Sequence, residues 1–488
     1  MFSGGKTNMA SSIKKNFAYQ MIYEVLILIL PFITSPYIAR VIGAEGLGIY
    51  SYSYSIAHYF VLFSMLGLKN YGNRAIAQSR NDPDEMNSVF SSILLLHILL
   101  SVFFLLVYLI YAFSLKEDRI YALIQTAHVM SGLFDISWFF FGIEKFKLTV
   151  TRNVIIRLLT IAGIFAFVRT KEDLPIYCAI LAFSNLIGQL SLWLPLRKYV
   201  RFVKTDWAAM QVHIKPMLIL FIPAIAVSLY KYMDKIMLGG SLGSKEQLGF
   251  YENAEKVINM PITIIGSFGT VMLPKMSNLA IRSDKTEARK YMSVSMKYIM
   301  CLAFALAFGI AGIGTTFAPM FWGDKFYTSG VLIMELAVTI PFISFANVIR
   351  TQYLIPTKKD KEYLSSVVAG AVVNLITNQL LIPHYGAGGA TIGTILAETV
   401  VCLIQAFVVR KELPLLQFVK SFLLFPLMGA FMFAVVYLIG QNGEATILTL
   451  LTEVITGVSI YGTLAVIYFF LTKEETFMKM INKLKKHA

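Results

Sequence analysis

Charged residues are scarce in this sequence. Lysine, arginine, aspartate and glutamate make up 15% of its 488 residues, whereas soluble proteins contain about 25%. Hydrophobic residues reach 57%, and they form continuous runs rather than the short alternating segments of a β-barrel. Because a crossing helix needs roughly 20 apolar residues, we expect an all-α polytopic membrane protein with about fourteen transmembrane helices and no separate soluble domain.

The sequence also has few cysteines, and its histidines are not spaced as metal ligands. The three cysteines, Cys178, Cys301 and Cys402, all fall in apolar runs, so neither a disulfide framework nor a thiolate metal cluster is indicated. None of the six histidines is paired with another at the spacing of metal ligands. We therefore expect no metal site and no cofactor, and we assign no catalytic residue.

Basic residues exceed acidic ones and give a net charge of +15. They concentrate in the tails and in the loops on the same side as the tails, most heavily in residues 197–204, 275–290 and 473–486. In a membrane protein such an asymmetry reports orientation before it reports a nucleic-acid partner. We expect both termini to be cytoplasmic, with the basic runs facing anionic lipid headgroups.

An internal repeat divides the chain. Residues 47–50 read LGIY and residues 248–251 read LGFY, and each motif opens a predicted span. Pro31 and Pro223 lie in the spans just upstream, where they interrupt the helical hydrogen-bond ladder and provide candidate hinges. Parallel repeats of this kind occur in transporters whose binding site lies between two lobes.

The repeat sets the predicted domain boundaries. An N-lobe of six spans with its cytoplasmic linker occupies residues 1–213, and a C-lobe of six spans occupies residues 214–410. The last two spans and a basic tail, residues 411–488, have no counterpart in the repeat.

Charged residues inside the predicted spans are the best candidates for a binding site. In the middle of the chain these are Lys231, Asp234, Lys235, Glu252, Glu255 and Lys256. A central Lys or Asp typically costs about 2.5–3.5 kcal/mol on insertion scales, so such residues line water or pair with an opposite charge. Spacings of three and four place Lys231 with Asp234, and Glu252 with Lys256, on shared helical faces. We interpret this stretch as one wall of a transport pathway.

Two more spans contribute candidates. Arg157 lies well inside the fifth predicted span, and with Lys231 and Lys256 it is predicted to line the cavity. The alternative for these cations is internal ion pairing. Tyr54 and His58 belong to a polar stripe on the second span, which suits either a cavity or a neighbouring helix.

Several segments then resemble a known family. Residues 354–359 (LIPTKK), residues 381–390 (LIPHYGAGGA), Glu398 and residues 32–50 look like the pattern of Wzx-type polysaccharide repeat-unit flippases of the MOP exporter superfamily. The resemblance implies two six-helix lobes in a V, two extra C-terminal helices and alternating access. It also implies a bacterial plasma membrane protein that is a transporter rather than an enzyme.

The resemblance implies a substrate as well. This is an oligosaccharide repeat unit on undecaprenyl pyrophosphate, or a related precursor such as that of teichoic acid, carried from the cytoplasmic to the outer leaflet. Related exporters couple transport to cations through membrane carboxylates, and we expect Glu24 and Asp135 to serve so with H⁺ or Na⁺. Asp135 falls in a fourth span predicted over residues 120–143. We expect a monomer, with glycan polymerase machinery as its candidate partner.

Two other functions were weighed. A cation-coupled multidrug exporter of the same superfamily would use the same fold. A membrane glycosyltransferase or polymerase is disfavoured because the sequence has no long outer loop in which to place its chemistry. The sequence leaves the sugars and the coupling ion open.

Overall fold

A computed structural model describes residues 4–282 and 284–485, and the side chains of residues 4–31, 230, 285, 480 and 483–485 lie outside that description. All regular structure in the described part is helical, which confirms the predicted fold class. The α-helices are α1 (Gly4–Met65), α2 (Leu68–Ser79), α3 (Pro83–Ser114), α4 (Arg119–Leu133), α5 (Ser137–Gly142), α6 (Phe146–Phe167), α7 (Leu174–Ser191), α8 (Trp193–Leu196), α9 (Trp207–Gly239), α10 (Lys245–Ile281), α11 (Lys285–Trp322), α12 (Tyr327–Leu336), α13 (Thr339–Ile349), α14 (Asp360–Tyr385), α15 (Ala387–Val409), α16 (Leu415–Phe422), α17 (Phe425–Asn442), α18 (Ile447–Leu471) and α19 (Glu475–Lys485). Short 3₁₀ helices cover Lys171–Asp173 and Asp324–Phe326, and a π-helical turn, Arg350–Leu354, follows α13.

Many of these helices are long and apolar enough to span a bilayer. Over the described residues there are 10 such helices, or 11 if a pair bent by 43°, Asp324–Leu336 and Thr339–Leu354, counts as one span. Pro341 lies in the first turn of α13, where it has no N–H to carry the α12 ladder onward. The chain is thus a polytopic membrane protein, and the count of fourteen spans stays a prediction.

A glycine joins the first two predicted spans. Both lie within α1, and Gly43 between them has φ 73° and ψ −179°. L-residues rarely adopt this backbone conformation, whereas glycine adopts it with little strain. The kink at Gly43 therefore lets one continuous segment turn between two helices without a loop.

The fourth predicted span is broken, so the expectation of one helix over residues 120–143 is wrong. Helix α4 ends at Leu133 and α5 begins at Ser137. Between them Asp135, which is 5% exposed, accepts a hydrogen bond at Oδ1 from the Ser137 backbone N–H at 2.9 Å. An aspartate that accepts from the N–H two residues on forms a local turn, and here that turn precedes the new helix inside the apolar run.

The chain forms two compact units, Met1–Gly249 and Phe250–Ala488. The predicted lobe boundaries at residues 213 and 410 stay predictions. In the first unit the short α5 buries Trp138 and Phe139 against Phe90 of α3, with ring centroids 5.5 Å and 4.8 Å from that of Phe90. The Trp138 indole N–H donates to the Asp135 carbonyl at 3.1 Å, so this residue links the aromatic core to the turn before α5.

The repeated glycines have a structural reason within the first unit. A Cβ added to Gly48 would lie 1.6 Å from the Lys245 carbonyl oxygen, and one added to Gly249 would lie 1.8 Å from the Ala44 carbonyl oxygen. Each glycine thus lets its helix touch the backbone of the other, because any side chain would separate them. Beside this crossing, Lys245 Nζ lies 3.3 Å from Asp118 Oδ2.

In the second unit, α17 and α18 pack against α11. Met432, Val436 and Tyr461 form a buried cluster, and the Tyr461 hydroxyl donates to the Cys301 carbonyl on α11 at 2.8 Å. A buried hydroxyl with a backbone acceptor fixes how two helices rotate about each other. The last two spans are therefore integral parts of this unit.

Candidate substrate site

Aromatic and imidazole rings from three helices meet in the first unit. Tyr54 and His58 lie one turn apart on α1, with ring centroids 5.8 Å apart. His128 of α4 approaches Tyr54 to 4.7 Å, and Tyr232 of α9 approaches His58 to 4.4 Å. These four residues are called the ring cluster below.

Two nitrogen atoms of the ring cluster lack a hydrogen-bond partner among the described residues. His58 Nδ1 and His128 Nε2 are buried and have no hydrogen-bond partner among the described residues. Buried polar atoms in native proteins are nearly always satisfied by protein, water or ligand. The two imidazoles are therefore positioned to donate to, or accept from, a bound molecule or water.

Lysine side chains border the ring cluster. Lys231 is exposed and its Nζ lies 5.7 Å from the Tyr232 ring centroid, while Lys235 Nζ lies 5.9 Å from the same centroid and the residue is only 7% exposed. Both lysines and Lys69 act electrostatically on the His58 imidazole. The combination of ammonium groups and ring faces suits an anionic group attached to apolar or sugar rings.

Lys231 and Asp234 do not form an ion pair in the described structure. Asp234 is 4% exposed, whereas Lys231 points to the exposed side of α9, and no ion pair joins the two in the described structure. Sharing a helical face three residues apart allows such a contact but does not impose it. Lys231 is thus accessible to a ligand without first breaking a salt bridge with Asp234.

The second unit holds the other predicted charges, on α10. Lys256 Nζ lies 3.7 Å from Glu252 Oε1 and 3.5 Å from Oδ1 of the fully buried Asn253. The predicted shared face of Glu252 and Lys256 is confirmed. Glu255 is half-buried on the same helix, and the cavity roles of Glu255 and Lys256 stay predictions.

Arg157 lies apart from the ring cluster. It is exposed on α6 next to exposed Leu158 and Leu159, and no described contact links it to the rings. One turn earlier, Arg152 donates to the Gly188 carbonyl at 2.8 Å and to Gln189 Oε1 at 3.0 Å. Arg152 thus ties α6 to α7, while the substrate role of Arg157 stays a prediction.

The structure describes only some of the residues predicted for ion coupling and for hinge bending. Asp135 accepts from the Ser137 backbone N–H at the start of α5, and its Oδ2 lies 3.9 Å from Lys69 Nζ, so it has a structural role whatever its part in coupling. The side chains of Glu24 and Pro31 lie outside the described residues. Pro223 lies inside the continuous helix α9. Coupling and hinge bending stay predictions.

Sequence reasoning found part of this site. It selected Tyr54, His58 and Lys231, which the structure brings together in the first unit, and it named Lys235 among the charges of the same stretch. It also selected Asp234, which is buried on α9. It missed His128, Tyr232 and Lys69. The signal for Tyr232 was its place beside Lys231 on α9, whereas nothing in the sequence joins His128 to Tyr54.

Comparison with known families decides the identity of the group. Residues 13–280, more than half of the chain, match the model of the family described as polysaccharide biosynthesis protein. The chain belongs to this family. The resemblance seen in the sequence is thereby confirmed at the level of the family.

Curated relatives of this family member cover most of its length. The putative O-antigen transporter of Escherichia coli is 23% identical over 412 residues, which is 82% of this chain and 97% of that protein. The putative O-antigen transporter of Shigella dysenteriae is also 23% identical, over 81% of this chain and all of that protein. A probable low-salt glycan biosynthesis flippase of Haloferax volcanii is 23% identical over 36% of this chain and 37% of its own length.

Solved structures identify the fold of this family member. The lipid II flippase MurJ in an inward closed conformation superposes with a TM-score of 0.78 at 16% identity, covering 94% of this chain and all of that one. An inward-facing multidrug resistance transporter of the MATE family, MOP superfamily, superposes with a TM-score of 0.58 at 12% identity, covering 76% and 93%. At such identities the likeness establishes the fold alone, which is the one expected from the sequence.

Proposed function

We propose that this chain is a flippase for lipid-linked glycan precursors. Its cargo is an oligosaccharide repeat unit on undecaprenyl pyrophosphate, or a closely related polyprenyl-linked precursor, and it moves from the cytoplasmic to the outer leaflet. The family match is the observation that carries the substrate class, because relatives along most of the chain are named O-antigen transporters. The chain acts as a transporter rather than an enzyme.

The ring cluster supports this cargo. A pyrophosphate crossing a low-dielectric region needs cationic donors to replace its hydration, and Lys231 and Lys235 border the rings. Tyr54 and Tyr232 offer flat apolar faces with polar edges, which suit sugar rings. In this proposal Lys231 holds the diphosphate, and the rings position the first sugars.

Alternating access moves the cargo. Residues that bind the headgroup face the cytoplasmic leaflet in one state and the outer leaflet in the other, as in transporters built from repeats. Pro31 and Pro223 are the proposed hinges, and Asp135 and Glu24 are the proposed carboxylates for a coupling H⁺ or Na⁺. The proposed location is the bacterial plasma membrane with both termini in the cytoplasm, and the proposed state is a monomer that works beside glycan polymerase machinery.

Reconstitution tests the proposal. Purified protein is placed in liposomes with a fluorescent polyprenyl-pyrophosphate oligosaccharide, and transfer between leaflets is followed by quenching from outside. We expect protein-dependent transfer that Lys231→Ala abolishes or severely reduces and Lys231→Arg partly retains. Lys361→Ala, at an exposed position on α14, is the matched control and should transfer like the wild type.

Two outcomes would count against the proposal. Equal transfer in Lys231→Ala would remove Lys231 from the substrate site. Transfer of cationic drugs across the same liposomes, with no transfer of the lipid-linked oligosaccharide, would favour the multidrug exporter instead.

A further inference from the structure

A cavity of about 620 Å³ lies in the second unit at helix ends that the charge distribution predicts to be cytoplasmic. It is bounded by the end of α10, the start of α11, the π-helical turn with the LIPTKK segment, and the loop after α15. Its volume is within the range of small-ligand sites. Neither the ring cluster nor the charges of α10 described above belong to it.

Four basic side chains line this cavity, namely Arg289, Lys358, Lys359 and Lys411, against two acidic ones, Asp284 and Glu412. Both acids are already engaged. Asp284 caps α11 by accepting from the Glu287 N–H at 3.0 Å, and the Glu412 carboxylate pairs with Lys359 and accepts from the Tyr353 hydroxyl. The cavity lining therefore has an excess of positive charge, which Lys358 and Lys411 provide.

Gln352 gives an independent indication of a ligand. This residue lines the cavity and is only 1% exposed. Neither its side-chain Nε2 nor its Oε1 has a hydrogen-bond partner in the described structure. Gln352 lies in the π-helical turn, a distortion that proteins use mainly at functional sites, and a buried amide without partners calls for a bound polar group.

Another part of the cavity lining is apolar. Met276, Leu279, Ile281 and Met292 line it, and Ile281 is 84% exposed at the end of α10. A ligand that fills the cavity therefore has an anionic part facing the lysines and a hydrocarbon part leaving past Ile281. Lipid phosphates have this combination, and basic pockets between membrane helices bind them.

We propose that this cavity is a binding site for the phosphate headgroup of an anionic lipid. Lys358 and Lys411 neutralise the phosphate, Gln352 donates to one of its oxygens, and the methionine wall receives the first carbons of the chain. The inference does not rest on the proposed transport function, since an exporter of another cargo with this cavity would bind the same lipids. Phospholipid and polyprenyl pyrophosphate share this chemistry, and the test separates them.

Thermal shift in detergent tests the site. The melting temperature of the full chain is measured with phosphatidylcholine, phosphatidylglycerol, polyprenyl pyrophosphate or inorganic pyrophosphate. A ligand that binds only the folded protein stabilises it by RT ln(1 + L/Kd), where L is the free ligand concentration, so the melting temperature rises with ligand concentration. We expect phosphatidylglycerol, polyprenyl pyrophosphate or both to raise the melting temperature. Phosphatidylcholine and inorganic pyrophosphate should leave it unchanged.

Charge reversal locates the effect. Lys358→Glu with Lys411→Glu should weaken binding of the lipid phosphate by at least tenfold, measured by the concentration for half-maximal shift. Lys198→Glu with Lys420→Glu, two exposed lysines outside the cavity, carries the same change in net charge and should bind like the wild type. Equal weakening in both double variants would show bulk attraction only and would overturn the proposal.

A third variant separates ligand binding from folding. Gln352→Leu removes a buried amide that has no partner among the residues that the structure describes, so the lipid-free variant should melt at the same or a higher temperature. The same variant should gain less from the lipid phosphate than the wild type gains. A full gain in Gln352→Leu, or an equal shift with inorganic pyrophosphate alone, would contradict a lipid-phosphate site at this place.

Discussion

The crossing of the two repeat glycines makes a sharp prediction about Gly249→Ala. The added Cβ would lie 1.8 Å from the Ala44 carbonyl oxygen, whereas ordinary contacts begin at 3.4 Å. Relief requires the two backbones to separate by roughly 1.6 Å, and overpacking of this kind costs about 1–3 kcal/mol. Gly266→Ala is the control on the same helix, because its Cβ meets only Asn347 Nδ2 at 3.9 Å, and alanine there should stabilise the helix by about 0.5–1 kcal/mol.

The melting temperature of each purified variant in one detergent is the assay. We expect Gly249→Ala to melt several degrees below the wild type and Gly266→Ala at or above it. Gly48→Ala should resemble Gly249→Ala, and the double variant should lose less than the sum, because the first methyl group already separates the helices. The reasoning is refuted if Gly249→Ala and Gly266→Ala melt at the same temperature. It is also refuted if the losses in melting temperature of Gly48→Ala and Gly249→Ala add fully in the double variant.

Three further predictions concern topology and buried charge. Ser114→Cys should react with an impermeant thiol reagent added outside cells and Lys204→Cys should not; the reverse pattern would overturn the predicted orientation. Lys231→Ala should keep the wild-type melting temperature, whereas Lys235→Ala should lower it. Lys235 is only 7% exposed, and removing a buried charge leaves the groups around it without their compensating charge. Equal melting temperatures in the two variants would contradict this prediction. Glu453 is fully buried, accepts from a Thr316 hydroxyl at 2.8 Å and has no basic partner in the described part. Glu453→Gln should therefore leave the melting temperature at pH 7 unchanged or raise it. A marked loss in the melting curve would indicate that the ionised form is needed.

The sequence predicts the features that local spacing determines. Continuous apolar runs predict the helices, and a spacing of four residues predicts the Glu252–Lys256 pair that the structure has at 3.7 Å. The repeated glycine is also visible in the sequence, although the backbone contact that requires it is not. In each case the determining interaction lies within one helix or one motif.

Features that depend on distant partners could not be predicted. Tyr54 and His128 come from helices far apart in the chain, and only packing brings their rings to 4.7 Å. Lys231 and Asp234 share a face, yet rotamers rather than spacing decide whether they pair. Asp135 is visible in the sequence as a charge in a span, but its hydrogen bond with the Ser137 N–H depends on the local turn between α4 and α5.

The lipid-linked intermediates of a strain without this chain test the central claim most directly. Mass spectrometry of its membranes should show accumulation of one polyprenyl-pyrophosphate oligosaccharide, with loss of the corresponding surface glycan, and the intact gene should reverse both changes. A strain with unchanged lipid-linked intermediates and normal surface glycan would contradict the account.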